Sequence, residues 1–372
     1  MPSRVSLLVS LLAPFALLGC ASAPRTDGAL RDYPATSPDV RVMGRHADSA
    51  GTVAFGASGV TFYMKFRGTA LDVDLAEQPR DSAGHDWLTV VVDGGEPTRL
   101  RVERGTRRLA LASGLRRGEH TLVLSKATEG QNGYQRLLAI HTAELRRADE
   151  LPGRRIEFIG NSITSGYGLD ARQVACGAGT WYDQTHAWLA FGPRVARAVG
   201  AQWMLSSVSG IGMLRNWNSD HPVMPDVYAG VYMDYADTLT RWDFNRYTPD
   251  LVVVSLGTND FSDGGGPAPR PALDGDAFVR NYVRFVEGVR ARYPRARLLL
   301  VTSPMLDADR NARLAALLDR VIAERAAAGD RALSRFGFAA RYVAGCNGHP
   351  NLDEQARMAA ELEPEVRAWM GW

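Results

Sequence analysis

From about Val40 to Arg147 the apolar positions come in short β-branched or aromatic runs. Val53-Ala54-Phe55, Val60 to Phe66, Leu88 to Val92, Arg99 to Val102, Leu109 to Leu111, His120 to Leu124 and Leu137 to Glu144 make up the series. Turn clusters such as Val92-Asp93-Gly94-Gly95 and Arg117-Gly118-Glu119 separate them. Short runs punctuated this often predict an antiparallel β-sandwich or jelly roll over residues 38–150.

Beyond Leu151 the period changes. Arg155 to Ile159, Gln202 to Ser206, Leu251 to Leu256, Arg297 to Thr302 and Ala339 to Val343 read as strands. Between several of them lie helical patterns: Phe278, Tyr282, Phe285 and Val289 share one helix face, and so do Leu314, Leu317, Leu318, Val321 and Ile322. Strands alternating with helices predict an α/β three-layer domain with a parallel sheet over residues 151–372. In such sheets ligands bind beyond the carboxyl ends of the strands, so the loops found there are where chemistry is expected.

Composition narrows the function only slightly. The chain has 43 basic and 41 acidic residues, a net charge of +2. Such a balance argues against a nucleic-acid partner, which calls for a larger or more clustered positive excess. The three cysteines are too few for a disulfide scaffold and lack zinc-site spacing. No His-Glu-x-x-His or Asp-rich loop appears, so no metal and no cofactor is required.

Arg4 and the apolar run Val5 to Leu18 have the form of a secretory leader, too short to span a bilayer. The run ends Leu17-Leu18-Gly19-Cys20, which resembles the lipobox of bacterial lipoproteins. The resemblance implies that residues 1–20 are a lipoprotein signal peptide whose Cys20 is lipidated, a membrane anchor. With Ala21 following, it also implies a secreted lipoprotein of the bacterial cell envelope, at the outer membrane or in the periplasm. Residues 21–37 then read as a flexible tether. In that oxidising compartment Cys176 and Cys346 could pair.

Four strand-end loops carry chemistry. Gly160-Asn161-Ser162 places a serine in a tight strand-to-helix turn, near backbone N–H groups that favour an oxyanion. Ser207-Val208-Ser209-Gly210 lets a backbone N–H approach a ligand closely. Gly257-Thr258-Asn259 presents a side-chain amide, and Gly348-His349-Pro350-Asn351 puts a histidine just ahead of a helix capped by Asn351 and Glu354. Each alone is a weak signal: an ordinary turn is the commoner reading of the Ser162 and Asn259 loops and an equal one for Gly210. Together, in the order Ser162, Gly210, Asn259, His349, they resemble the SGNH (GDSL-type) hydrolase superfamily.

That resemblance implies a Ser162 nucleophile, a His349 base, and an oxyanion hole formed by the Ser162 and Gly210 N–H groups and the Asn259 amide. With the sandwich ahead of it, and with Lys126-Ala127-Thr128-Glu129-Gly130 and Met224-Pro225-Asp226-Val227-Tyr228, the chain is similar to carbohydrate esterase family 2. The family implies a serine esterase that removes O-acetyl groups from xylan- or glucomannan-type polysaccharide through an acetyl-serine, with no obligate protein partner. One departure matters. The acid that many such enzymes carry three residues before the histidine is replaced by Cys346, and Asn347 follows it. A Ser–His dyad is then expected, with Asp353 belonging to the next helix's first turn, and Cys346 fits as a disulfide partner of Cys176 beside the His349 loop. The alternatives are a GDSL-type lipase or lysophospholipase using the same residues, and a glycan-binding lipoprotein whose site has decayed.

The aromatics Trp181, Tyr182, Trp217 and Tyr228 lie in connections expected to border the cleft, where they could stack on sugars. His221 falls outside the superfamily's order and reads as a loop residue. His46, His85, His120 and His141 read as surface or packing residues of the sandwich, and His186 as a structural residue on the first helix of the second domain. Asp260 is given a turn-capping role and no catalytic one.

Overall fold

The computed structural model describes residues 29–80, 84–235, 240–266 and 270–372. Cys20 and the leader lie outside them.

In the amino-terminal part, the described strands form one antiparallel network built on the long strands Thr61–Pro79 and Gly133–Arg146. These two pair along most of their length. The first half of Thr61–Pro79 carries Gly118–Lys126 on its other edge, and the second half carries Gly105–Ala112. The alternation along this strand shows how one strand serves both halves. Phe62, Met64 and Phe66 point into the core, then Leu71, Val73 and Leu75 do so, a change of phase across Gly68-Thr69-Ala70. A register shift between Thr142 and Glu144 on the partner strand marks the same place. Residues 68–70 there lie opposite Ala143 alone, and this bulge bends the strand and returns its apolar face to the core.

The carboxy-terminal part is a five-stranded parallel sheet in the order Ala201–Ser207, Arg154–Gly160, Leu251–Ser255, Arg297–Val301, Leu333–Phe336. Successive residues face opposite sides and both sides are covered. Leu251, Val253, Leu299 and Val301 share a buried cluster with Phe191 and Val195 of the helix Phe191–Ala198 and with Met358 and Leu362 of Leu352–Met370. Val252, Val254, Leu298 and Leu300 pack instead with Phe278 and Tyr282 of Gly275–Arg292 and with Leu314 and Leu318 of Ala308–Ala327. That second cluster continues into the sandwich through Phe55, Phe62 and Leu137, so the two parts share a core.

Three expectations are corrected. The tether is shorter than residues 21–37, since Arg31–Pro34 is a strand paired with Gly133–Arg146 and Ala35 after it is fully buried in the core. Ala339–Val343 is not a strand: the fifth strand is Leu333–Phe336, which pairs with Arg297–Val301. Phe338 and Tyr342 are buried, but with the backbone in an irregular path that the Tyr342 N–H ties to the Pro304 carbonyl at 2.7 Å. Their hydrophobicity answers to the core beside the helix Leu352–Met370 rather than to a ladder. His186 is not on a helix either; it precedes the short turn Ala187–Leu189, where its buried ring meets Asp170 at 2.7 Å.

Candidate active site

The strand Arg154–Gly160 has neighbours on both sides, and Ser162 leaves its carboxyl end at this switch point of the sheet. Asn161 caps the four-residue helical turn that follows, its Oδ1 accepting the Ile163 N–H at 3.1 Å. Thr164 packs so closely on Gly160 that a side chain at 160 would collide with it. This is why the glycine precedes the serine here while no second glycine follows two residues later.

Ser162 Oγ lies 2.8 Å from His349 Nε2. On the other side of the ring, Nδ1–H donates to the Asn347 carbonyl at 3.1 Å, which fixes the tautomer that leaves Nε2 free to accept. Among the described residues no carboxylate takes part. Asp353 sits in the first turn of Leu352–Met370, where an acid favours the helix dipole. Asn347 adopts φ 53°, a left-handed conformation that Asn tolerates better than most residues. From there its carbonyl reaches the imidazole, while its amide donates to the Tyr167 hydroxyl at 2.6 Å. Tyr167 in turn stands edge-on to the imidazole, with ring centroids 4.5 Å apart.

The histidine loop is fastened to the loop after Ser162 at several points. Cys176 and Cys346 form a disulfide. The Cys346 N–H donates to the Gly168 carbonyl at 2.9 Å. Gly168 itself has φ +72°, and a Cβ there would come within 2.6 Å of the Cys346 carbonyl oxygen, so no other residue permits this approach. Burial pulls the His349 pKa down to about 4, outweighing the Asn347 and Cys346 carbonyls that favour the charged ring.

Gly210 and Asn259 stand at the ends of the two neighbouring strands. Gly210 has φ +80°, and its N–H, like that of Ser162, meets no acceptor among the described residues. The Asn259 amide gives one N–H to the Ile211 carbonyl at 2.7 Å, which leaves its second N–H available. Asp260, fully buried, gathers the Met213, Leu214 and Arg215 N–H groups on its carboxylate and so shapes the turn beyond Gly210. Burial raises its pKa, against the pull of those N–H groups. The loops after three adjacent strands thus bring a serine and three unoccupied donors to one end of the sheet, where the segment between the fifth strand and the last helix adds the histidine.

The four aromatics separate into two pairs. Trp181 and Trp217 are 45% and 51% exposed, the exposed large aromatics among the described residues. Trp181 packs on Tyr167, ring centroids 5.8 Å apart, and the Trp217 N–H bonds the Gly210 carbonyl at 2.8 Å. Trp181 is thus linked to the imidazole through Tyr167, and Trp217 to the Gly210 loop. Tyr182 and Tyr228 do not border a cleft. Tyr182 is buried beneath Trp181 and beside His85. Tyr228 is buried with its hydroxyl on Glu157 at 3.0 Å, inside a cluster in which Arg45 of the sandwich pairs with Glu157 at 3.1 Å. A phenol hydroxyl needing a buried acceptor, not a sugar, accounts for its position.

The remaining histidines stand apart from Ser162. His85 and His141 are buried against Asp183 and Asp32, His120 pairs with Asp93, His46 bonds the Gly44 carbonyl, and His221 is exposed beside Asp226. Two residues with no role assigned from the sequence also reach the site. Tyr167 was detectable only as a tyrosine between glycines, and Glu129 comes from the other domain. Glu129 is fully buried, and its carboxylate accepts the Ser209 N–H at 2.6 Å and also the Ser209 hydroxyl. Burial raises its pKa to about 7, against the Ser209 bonds that favour the anion.

Residues 42–152 match the family described as carbohydrate esterase 2 N-terminal, and residues 158–351, just over half of the chain, match the GDSL-like lipase/acylhydrolase family. The chain belongs to the GDSL-like lipase/acylhydrolase family, with the amino-terminal domain of carbohydrate esterase family 2. A curated relative from Cellvibrio japonicus (strain Ueda107), an acetylxylan esterase / glucomannan deacetylase, is 27% identical over 98% of each chain. The solved family two carbohydrate esterase from Cellvibrio japonicus superposes with a TM-score of 0.82 at 26% identity, covering 92% of this chain and 99% of that one. Another from Clostridium thermocellum, in complex with cellohexaose, gives 0.80 at 28%, covering 90% and 99%. This carbohydrate esterase 2 domain pairing is an antiparallel sheet domain followed by a parallel-sheet GDSL-like domain, as expected from the two periodicities.

Proposed function

We propose that the protein is a serine esterase that removes O-acetyl groups from a polysaccharide of the xylan or glucomannan type. The observation that carries this reading is the 2.8 Å contact between Ser162 Oγ and a neutral His349 Nε2, set among unoccupied N–H donors. The curated relative's name, acetylxylan esterase / glucomannan deacetylase, supports the choice of substrate.

Ser162 Oγ attacks the acetyl carbonyl as its proton passes to His349 Nε2. The oxyanion so formed takes hydrogen bonds from the Ser162 and Gly210 N–H groups and the free Asn259 N–H. On collapse the C–O bond to the sugar breaks, and the departing oxygen takes the proton from His349. Water then adds to the acetyl-serine with the same base and the same donors, releasing acetate and restoring Ser162. Among the described residues no carboxylate supports the imidazole; the Asn347 carbonyl holds its orientation instead, an arrangement that lowers the rate without removing the mechanism. Trp181 and Trp217 supply exposed faces on which the apolar C–H surface of a pyranose can stack. The reading includes delivery to the cell envelope as a lipoprotein anchored through Cys20.

Acetate release from acetylated xylan and glucomannan by the wild-type protein, and its loss in Ser162→Ala, is the test. Undiminished release in that variant refutes the assignment, and equal turnover of butyryl or longer esters points to the lipase reading.

A further inference from the structure

We propose that Glu129 of the sandwich and Tyr235 of the catalytic domain are positioning residues for the oxyanion-binding peptide, aiming the Gly210 N–H through the two ends of Ser209. The proposal rests on the esterase reading above and adds to it a role for the sandwich in the chemistry.

Ser209 is held at every polar atom it has. Its N–H and its hydroxyl donate to the Glu129 carboxylate, and its carbonyl accepts the Tyr235 hydroxyl at 3.0 Å. The carbonyl bond decides the geometry. Ser209 C=O and Gly210 N–H belong to one planar trans peptide, so they point in opposite directions. A phenol that pulls the carbonyl one way therefore turns the N–H the other way. Glu129 fixes the preceding N–H, so the peptide cannot rock about the Ser209 backbone. Gly210 on its far side is at φ +80° and has no side chain of its own to hold it. Without these two anchors a glycine there is free to swing its N–H away from the oxyanion.

Both anchors depend on the sandwich. The Glu129 backbone is pinned to Asn132, with its N–H on the Asn132 Oδ1 at 3.0 Å and its carbonyl accepting the Asn132 N–H at 3.1 Å. Gly130 then passes so close to the Tyr232 carbonyl that a Cβ would strike it. Tyr134 stacks on Tyr232 with centroids 4.4 Å apart, and Arg80 pairs with Asp234 at 2.7 Å, which secures the segment leading to Tyr235. A wholly buried carboxylate is costly to keep, and simple packing does not call for one. What a carboxyl offers here is acceptance from a hydroxyl and an N–H on one residue. Protonation, or replacement by Gln, retains the acceptor for the N–H and merely reverses the hydroxyl bond, so the geometry needs the oxygen and not the charge.

The test compares Glu129→Ala, Glu129→Gln and Tyr235→Phe in the full chain, reading kcat, KM and Tm with an acetylated xylo-oligosaccharide. Removing an oxyanion donor outright costs about 100-fold or more, so a misaimed one should cost about 10- to 100-fold in kcat. Glu129→Ala and Tyr235→Phe should both show this loss with KM little changed, and Glu129→Gln should restore kcat to near wild type. Tyr235→Phe deletes one oxygen from a half-buried residue, so it decides the matter should Glu129→Ala fail to fold. Wild-type kcat in Tyr235→Phe, a loss in KM rather than kcat, or a Glu129→Gln variant as impaired as Glu129→Ala would overturn the proposal. A wild-type protein without Ser162-dependent acetate release would instead overturn the esterase reading on which it rests.

Discussion

The base in this site should titrate far below an ordinary histidine. His349 is half-buried against Tyr167 and the disulfide loop, with carbonyl oxygens but, among the described residues, no carboxylate near the ring, and its pKa falls to about 4 from 6.5. The perturbation is pH, and kcat/KM reports the ionisation of the free enzyme. With a pKa of about 4, roughly 97% of the imidazole is neutral at pH 5.5; at the ordinary value about 9% would be. The expected profile is therefore flat from neutrality down to about pH 5, with its acid limb centred near pH 4. Direct quantification of acetate released from an acetylated oligosaccharide, between pH 3 and pH 8, measures it.

The fold should persist to that limb. Burial works against the Asp170 and Asp183 carboxylates. The Arg172 and His186 contacts to Asp170, and the Trp87, Thr180 and His85 contacts to Asp183, outweigh it and hold both below the usual range. Carboxylates lowered in this way contribute stability that is complete above their unfolded pKa and is lost only as pH falls through the folded value, while His349 and His186, both lowered to about 4, work the other way as pH falls below 6.5. Recovery of full activity after return to neutrality checks this. A limb centred near 6.5 would refute the argument, since it would require a solvated ring or an anionic partner that the site lacks. A limb near 7 would instead mean that the Glu129 charge is needed, against the geometric role argued for it.

Three further outcomes are expected. Trp217→Ala should raise KM for acetylated polysaccharide by about tenfold, matching a stacking contribution of about 1.4 kcal/mol, and leave hydrolysis of a small chromogenic acetate unchanged. Arg45→Met should destabilise the protein by about 3–5 kcal/mol in denaturant unfolding, because it strands the Glu157 carboxylate without its cation between the two domains. Reduction of the Cys176–Cys346 disulfide, which closes a separation of 170 residues, removes up to about 5 kcal/mol in the loop-entropy account. It should also lower kcat, since Cys346 lies three residues before His349; an unchanged Tm and kcat on reduction would refute both expectations.

The sequence by itself determined the two folds, because alternation of period two and helical period are local properties that survive without any knowledge of neighbours. The set Ser162, Gly210, Asn259, His349 was legible only through the resemblance of the four strand-end loops taken together, since each loop alone reads as an ordinary turn. The misplaced strand at Ala339–Val343 shows the limit of that signal: a short apolar run specifies burial, and only the neighbouring elements decide whether its backbone enters a ladder. Tyr228 shows the same for side chains, since a tyrosine in a long connection reads alike whether it faces a sugar or a buried carboxylate. What holds the imidazole was decided wholly by tertiary structure. The Asn347 carbonyl, the Tyr167 ring and the loop fastened through Gly168 and Cys176 meet across about 180 residues of chain. Glu129 is the furthest case. It approaches Ser209 from another domain, and hydrogen bonds between domains leave no periodic trace in either segment.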